Sequence, residues 1–288
     1  MKIKITVPAT SANLGPGFDT LGLALNWKYE YIIKTTRMAN QTDVKSKMVQ
    51  KGFNSIFKKH GQKKIPNIKI DTSENILIGK GLGTSAACYL AGIEAANIFL
   101  QHPFNDKQKL NQAIKIEGHA DNIMPAYYGG LQIIVKSNNS NEISNLKIKA
   151  HNKINLLVLV PSFSMPTKKT RKAIKKTVAM EDAVFNMSRA ILLSHALSSG
   201  KFNYLNEATQ DMLHQKKRSQ FFPKMFQVFD AALSNGAHGV YLSGGGPTIG
   251  AFVTKNVEKI GRSMSNTLRD TNSILKLCKI VNSGIKID

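Results

Sequence analysis

The sequence is poor in cysteine, in arginine and in acidic residues. It contains two cysteines and one tryptophan in 288 residues, and 18 acidic residues stand against 40 lysines and arginines. Cys88 and Cys278 fit no spacing of metal ligands, and two isolated cysteines do not build a disulfide framework. We therefore expect two reduced thiols, with Cys88 packed as a small core residue.

Long apolar runs are also missing. The longest, near Ile154–Val160, is far too short to span a bilayer. The first residues, Met1–Lys4, begin an alternating strand pattern and lack the apolar core of a signal peptide. With 42% hydrophobic and 20% charged residues the composition is that of an ordinary globular protein. We expect it in the cytoplasm, with no membrane as partner.

The formal net charge of +22 is the largest deviation from an average composition. A surplus of this size is often found in proteins that bind nucleic acids or membrane surfaces. Here the lysines are scattered in short clusters, arginine occurs only six times, and no RNA-binding signature or basic–aromatic stripe accompanies them. The pattern favours solvated lysine faces that attract anionic substrates such as nucleotides, and we expect no nucleic-acid partner.

A glycine-rich loop leads directly into an apolar helical segment. It reads Gly79-Lys80-Gly81-Leu82-Gly83-Thr84-Ser85, and we expect Thr84 and Ser85 to cap a helix over Ala86–Leu100. Such a loop gathers unpaired N–H groups at the positive end of a helix dipole, which suits phosphate. The loop is neither a Walker A motif nor a dinucleotide fingerprint. A plain turn that caps a buried helix is the alternative.

Strands and helices are mixed along the chain without the regular alternation of a doubly wound sheet, which predicts an α+β fold. A polar stretch over Lys136–Asn145 indicates a surface loop, and a buried strand follows over Ile154–Val160. The other predicted strands are Lys2–Val7, Tyr29–Lys34, Asn67–Ile70, Leu131–Val135, Gly239–Leu242 and Ile249–Val253. The other predicted helices are Lys47–Lys59, Asp106–Glu117, Ala179–Leu197, Lys224–Asn235 and Val257–Asp270.

Three further segments accompany the glycine loop: Pro8–Asp19 after the first strand, Glu117–Asn122 before an apolar segment, and Leu242–Thr248 near the C-terminus. In this order the four segments resemble the GHMP kinase superfamily, and within it the branch that phosphorylates the amino acid homoserine. The resemblance implies an N-terminal domain (1–150) like the second domain of ribosomal protein S5 and a ferredoxin-like C-terminal domain (151–288). The active site would lie in the cleft between them.

The resemblance also implies ATP and Mg²⁺ as cofactors. The cradle for the phosphates would be Gly79, Lys80, Gly81, Leu82, Gly83, Thr84 and Ser85, and Asn54 would contact adenine. Ser85 and Glu117 would bind Mg²⁺, which takes few protein ligands beside phosphate and water. For Glu117 the alternative is an exposed acid at a helix end.

L-homoserine is the acceptor that the resemblance implies, and its carboxylate calls for arginine. Arg171 and Arg218 stand in contexts like those of the family's two substrate arginines, with surface ion pairs as the alternative. The remaining pocket residues implied are Asn13, Asp19, His119, Asp121, Asn122 and Gly245, and Thr167 matches a residue near the γ-phosphate. His119 is equally typical of a hydrogen-bonding residue at a helix end.

Catalytic roles are implied for Asn122, Thr167 and Asp19, because related kinases use an aspartate base where this chain has Asn122. Whether Asp19 or Asp121 acts as base stays open. Two other functions remain possible on the same residues: a kinase for mevalonate-type or sugar substrates, and a basic RNA-binding protein on an S5-like scaffold. The resemblance further implies a homodimer.

Overall fold

The structure is a computed structural model that describes residues 1–37, 42–73, 77–137, 143–165, 167–175 and 177–288. Its strands are β1 Lys2–Ala12, β2 Leu21–Thr35, β3 Ile68–Thr72, β4 Leu131–Lys136, β5 Ile143–Ile148, β6 Asn155–Val160, β7 Gly239–Leu242, β8 Ile249–Val253, β9 Ile274–Lys279 and β10 Lys286–Ile287. Its helices are α1 Val44–Lys59, α2 Thr84–Phe99, α3 Asp106–Glu117, α4 Ile123–Tyr128, α5 Thr167–Lys172, α6 Met180–Ser199, α7 Leu205–Ala208, α8 Gln215–Arg218, α9 Met225–Ser234 and α10 Val257–Leu268.

The first sheet has the strand order β10-β1-β2-β4-β5, and β3 also pairs with β2. Its long antiparallel pair β1–β2 carries a register shift between Pro8 and Thr10, because proline has no N–H for the ladder. β10 comes from the far end of the chain and pairs Ile287 with Ile5. The N-terminal strands therefore share a sheet with residues near position 288.

Helices α1 and α2 pack against each other at unusually short distance. A Cβ at Gly52 of α1 would lie 2.4 Å from the carbonyl oxygen of Tyr89, and one at Gly92 of α2 would lie 2.0 Å from that of Val49. Glycine at both positions lets the two backbones touch. α2 is buried almost all round, as its apolar sequence predicts.

The second sheet has the antiparallel order β7-β8-β6-β9 and carries α9 and α10 on one face. This is the order of the ferredoxin-like fold. Along β6, Leu156, Val158 and Val160 belong to the core shared with the first sheet, whereas Leu157 and Leu159 belong to the core beneath the helices. Burial of both faces explains the continuous apolar run of this strand.

The α+β prediction is confirmed, both cysteines are free, and Cys88 is buried as expected; Cys278 is buried as well. Several boundaries were wrong. β2 begins at Leu21 rather than Tyr29, because its first part pairs with β1 and β4 and is buried on both faces. The predicted loop 136–145 includes the end of β4 and the start of β5, which pair as a hairpin, and residues 138–142 lie outside the described part.

Candidate active site

The glycine loop crosses the N-terminal end of α2 with three glycines in the left-handed region. The φ values are +69° at Gly79, +78° at Gly81 and +69° at Gly83, which favour glycine. Gly83 is the N-cap residue, so the prediction that Thr84 and Ser85 cap the helix was wrong. Both lie inside the first turn, where Thr84 donates to the carbonyl of Leu77 at 2.6 Å.

Gly83 also lies against other parts of the site. A Cβ there would stand 1.8 Å from the hydroxyl oxygen of Thr10 and 3.0 Å from Oδ1 of Asn122. Thr10 in turn donates to Asn122 Oδ1 at 2.7 Å. The loop, the first strand and the segment before α4 are therefore locked together at this point.

The ammonium of Lys80 does not lie free at the glycine loop but is bound to another segment of the chain. Its Nζ donates to the carbonyl oxygens of Pro161, Ser162 and Phe163 at 3.0, 2.6 and 2.7 Å. Burial lowers the pKa of Lys80, while Asp270 acts in the opposite direction. The point charge expected at the phosphates is thus engaged with the chain after β6.

A cavity of about 630 Å³ lies between α1, β3 and the segment before β3, and Asn54 lines it together with Gln50 and Asn67. Gln50 Nε2 donates to Asn54 Oδ1 at 2.6 Å, which fixes the amide of Asn54. Apolar walls come from Ile65, Ile68 and Ile116. Apolar walls with a few amides suit a purine base.

A row of polar side chains connects α2 with the segment that follows α3. Ser85 Oγ donates to Glu117 Oε1 at 2.5 Å. His119 lies between two carboxylates, with Nε2 3.5 Å from Glu117 Oε1 and Nδ1 2.5 Å from Asp121 Oδ1. The side chain of Glu117 is 8% exposed, so it is not an exposed acid at a helix end.

The charges in this row perturb one another. Burial raises the pKa of Glu117, with His119 and Ser85 opposing the shift. Burial alone would lower the pKa of His119, but the Asp121 and Glu117 carboxylates raise it to about 9. Burial would raise the pKa of Asp121, yet His119, Arg171 and Asn122 together hold it below its usual range. At neutral pH the row therefore holds an imidazolium between two acidic side chains.

Asp19 and Arg171 form a two-pronged ion pair across the site. Arg171 Nη1 donates to Asp19 Oδ2 at 2.8 Å, and Nη2 donates to Oδ1 at 2.5 Å. Both side chains are about one third exposed, at 39% and 34%. Asp19 has a left-handed backbone, at φ +59°, and its N–H donates to Asn13 Oδ1 at 3.1 Å. Asn13 therefore sets the orientation of Asp19.

Arg218 is the buried counterpart of Arg171, with 2% exposure. Its Nη1 donates to the carbonyl of Gly244 at 2.7 Å and lies 3.0 Å from His214 Nδ1. In the described part of the chain its Nε has no hydrogen-bond partner, and no carboxylate pairs with it. Burial, followed by the charge of Arg171, lowers the pKa of Arg218 to about 10.

The Phe18 ring brings the two arginines together. The guanidinium carbons of Arg171 and Arg218 lie 5.2 and 5.5 Å from its centroid, within cation–π range. Asn13 Nδ2 donates to the Gly244 carbonyl at 3.0 Å, so the glycine turn 244–246 closes this side. Gly245 lies between two glycines with positive φ in that turn.

Most of the predicted site residues lie along these contacts. Thr167 is the first residue of α5, but its side chain lies outside the described part. Sequence reasoning missed Thr10 and Phe18, which stand inside the segment Pro8–Asp19, and His214, which stands four residues before Arg218. Their roles depend on contacts more than a hundred residues apart in sequence, for which the sequence carries no signal.

A cavity of about 680 Å³, lined by Asp19, His119, Ile134 and Lys115, adjoins the site.

Within the described ranges, no group of three or more His, Cys, Asp or Glu side chains is arranged to hold a metal ion by itself. Within the same ranges, no helix combines the length and the apolar character needed to cross a bilayer.

Comparison with known proteins gives consistent matches. Residues 47–130 match the GHMP kinases N terminal domain, and residues 191–270 match the family GHMP kinases C terminal. The homoserine kinase of Clostridium beijerinckii is 34% identical over 275 residues, covering 93% of this chain and 91% of the relative. That of Petrotoga mobilis is 34% identical over 301 residues, covering 99% and 96%.

Solved structures extend the comparison to the fold. The crystal structure of homoserine kinase from Cytophaga hutchinsonii has a TM-score of 0.85 and 27% identity, covering 100% of this chain and 97% of that one. L. major mevalonate kinase in complex with R-mevalonate has a TM-score of 0.74 at 15% identity, covering 98% and 96%, and shares the fold.

Proposed function

This chain belongs to the GHMP kinase family, and on that premise we propose that it transfers the γ-phosphoryl group of ATP to the side-chain hydroxyl of L-homoserine. The product, O-phospho-L-homoserine, serves threonine biosynthesis. The observation that carries the choice of acceptor is the arrangement at Phe18. Arg218 is buried and has no carboxylate partner in the described residues, whereas Arg171 pairs with Asp19. Both arginines contact the Phe18 ring.

An α-amino acid fits this arrangement because it carries both charges that the site can pair. Its ammonium would take Asp19, and its carboxylate would take Arg171 and the unpaired side of Arg218. An anion beside Arg218 would also offset the burial that lowers the pKa of this arginine to about 10. Asn13 and Gly245 would line the same end, and His119, Asp121 and Asn122 would face the hydroxyl end.

For ATP, the backbone amides of Gly79–Ser85 would hold the phosphates at the N-terminus of α2. The cavity beside Asn54 would take the adenine. Side chains at Gly81 and Gly83 would overlap Ser243 and Thr10, so glycine at both positions lets the loop lie close against these residues.

The residues present fit Mg²⁺. Ser85 and Glu117 bring a hydroxyl and a buried carboxylate together, and burial raises the pKa of Glu117, which a cation would reverse. Two protein ligands beside phosphate oxygens and water are what this ion takes. When bound, it would neutralise charge on the transferring phosphoryl group.

Transfer would depend on positioning and electrostatics rather than on a strong base. Asp121 is held by the His119 imidazolium and by Asn122, which lower its pKa and its affinity for a proton. Asp19 is paired with Arg171. Asn122, oriented by Thr10, would hold the acceptor hydroxyl, and Thr167 would lie near the γ-phosphate. The hydroxyl proton would then pass to phosphate or solvent.

The test is a coupled assay of ADP release with L-homoserine, R-mevalonate and galactose as acceptors. We expect turnover with L-homoserine alone. Turnover of R-mevalonate or galactose without L-homoserine would contradict the proposal and support the other kinase function.

We further propose a cytoplasmic homodimer, formed through α6. Met180, Val184, Met187 and Ile191 form one stripe at helical spacing, and each is more than half exposed. Residues 180–199 contain two acids, one arginine and no lysine, in a chain of net charge +22. A second copy can therefore approach here with little repulsion.

Sedimentation of the full chain tests the dimer. We expect Ile191→Glu to give a folded monomer, because this side chain is exposed in a single copy, and its melting temperature should fall only by the contribution of the dimer. A wild-type protein that sediments as a monomer, or an Ile191→Glu variant that stays dimeric, would contradict the proposed interface.

A further inference from the structure

Lys80 stands at the junction of three parts of the site. Its side chain reaches the segment 161–163, and its backbone carbonyl accepts from the N–H of Thr248 at 3.2 Å, beyond the glycine turn. Its neighbour Gly81 lies so close to this turn that a Cβ would stand 2.3 Å from the carbonyl oxygen of Ser243. Lys80, a residue inside the phosphate loop, therefore contacts both the segment 161–163 and the chain beyond the glycine turn 244–246.

All three hydrogens of the Lys80 ammonium have a carbonyl acceptor, at 3.0, 2.6 and 2.7 Å. An ammonium has no further donor, so a phosphate contact would require that some of these bonds break. Three successive carbonyl dipoles that converge on one point repel each other unless a cation lies between them. The conformation of residues 161–163 therefore depends on this lysine.

The segment held by Lys80 leads directly to the acceptor arginine. It follows β6 at Val160 and precedes α5, which carries Arg171. Ser162 N–H also donates to Asp270 Oδ2 at 2.6 Å, which fixes its other side. The position of Arg171, which has to contact both Asp19 and an acceptor, therefore depends on how the start of this segment is held.

We infer that Lys80 is a positioning residue that ties the start of the acceptor arm, which comprises the described residues 161–165 and 167–171, to the phosphate loop. It acts through the backbone of the arm and does not bind the phosphates. This inference rests on the proposed function for its kinetic consequence, whereas its structural consequence is independent of the acceptor. The tie sets the distance between the bound phosphates and the residue that holds the acceptor.

The experiment compares Lys80→Met, which keeps most of the length of the side chain and removes all three donors, with Lys80→Arg, which keeps donors and charge. Lys259→Met is the control, because Lys259 is an exposed lysine on α10. Three quantities are measured: the Kd for ADP by calorimetry, kcat/KM for L-homoserine at saturating ATP, and the rate of tryptic cleavage between residues 169 and 175.

For Lys80→Met we expect kcat/KM for L-homoserine to fall by on the order of tenfold to a hundredfold, as for other small misplacements of reacting groups. We expect the Kd for ADP to stay near that of the wild type and cleavage of the arm to become faster. Lys80→Arg should recover part of kcat/KM and of the resistance to trypsin. Lys259→Met should match the wild type in all three.

The opposite pattern overturns the inference. A Kd for ADP that rises tenfold in Lys80→Met, with unchanged cleavage of the arm, would make Lys80 a phosphate ligand. If the wild type fails to phosphorylate L-homoserine, the proposed function fails, and the Kd and trypsin measurements still decide the role of Lys80. Should Lys80→Met not fold, the same two measurements on Lys80→Gln decide it.

Discussion

Replacing Arg171 with alanine should remove the recognition of one end of the acceptor and little else. A charge-assisted hydrogen bond contributes about 1.5–3 kcal/mol. Loss of the carboxylate contact should therefore raise the KM for L-homoserine by roughly 10- to 150-fold. Lysine should rescue poorly, because it lacks the planar fork that Arg171 presents to Asp19 in the structure.

The stability of the protein should hardly change, which makes Arg171 a better probe than Arg218. The Arg171–Asp19 pair is about one third exposed on both sides, and such pairs contribute about 0–1 kcal/mol. Arg218 is 2% exposed and bonds to Gly244, so its removal would leave a buried gap and lower the melting temperature. A loss of activity in Arg218→Ala would mix both effects.

Truncated acceptors make the assay specific. Coupled ADP release is measured with L-homoserine, with 3-aminopropan-1-ol, which lacks the carboxylate, and with 4-hydroxybutanoate, which lacks the ammonium. Arg171→Ala should lose kcat/KM on L-homoserine but not on 3-aminopropan-1-ol. Asp19→Asn should spare 4-hydroxybutanoate instead. Arg262→Ala, which breaks an exposed ion pair on α10, is the matched control.

An equal loss of Arg171→Ala on L-homoserine and 3-aminopropan-1-ol would refute the reasoning. Arg171 would then serve catalysis or structure rather than the carboxylate. An unchanged KM for L-homoserine would exclude the contact altogether.

Three other outcomes are expected. Glu117→Gln should lower kcat by one or more orders of magnitude, with partial recovery at high Mg²⁺. The apo protein should melt at or slightly above the wild-type temperature, because a buried carboxylate is removed. Normal kcat at limiting Mg²⁺ would show that Glu117 does not bind the metal. The unfolding free energy should have a maximum near pH 6.5, the ordinary pKa of histidine. His119 stabilises below that pH and loses this contribution as the pH rises through about 9, whereas burial lowers the pKa of His214 to about 4, so stability falls from pH 6.5 towards 4. Each effect amounts to at most ~3.4 kcal/mol, and denaturant titrations of His119→Gln and His214→Gln should each flatten one side of the profile; unchanged slopes would contradict the assignment. Gly83→Val should fail to fold normally, as followed by circular dichroism, because its side chain would overlap Thr10; a native melting curve would show that the loop can move aside.

Local pattern was enough to predict the elements that are apolar on a regular period. α3, β7 and β8 have the predicted boundaries, and α2 differs by two residues at its start and one at its end. β9 and β10 were missed. β9 pairs with β6 but leaves most side chains exposed, and β10 has two residues, so neither has a buried face that would mark it in the sequence.

The candidate site was predictable as a set of residues but not as a set of contacts. Asp19 and Arg171 were both assigned to the acceptor, yet nothing local shows that residues 152 positions apart pair with each other. Lys80 is a comparable case. Its position inside a glycine loop predicts a phosphate contact. Only the three-dimensional structure shows that the chain after β6 brings three carbonyl oxygens to its ammonium.

The pairing of β10 with β1 has a consequence for synthesis on the ribosome. About 270 residues separate the two strands, which corresponds to roughly 14–54 s of translation at ~5–20 residues per second. Until residues 286–287 emerge, the nascent chain carries β1 as an open edge, which is a template for wrong pairing between neighbouring chains on a polysome. A chaperone that shields the edge of β1, or slow translation of the messenger RNA before β10 is made, would therefore affect the yield of folded enzyme more than its final stability.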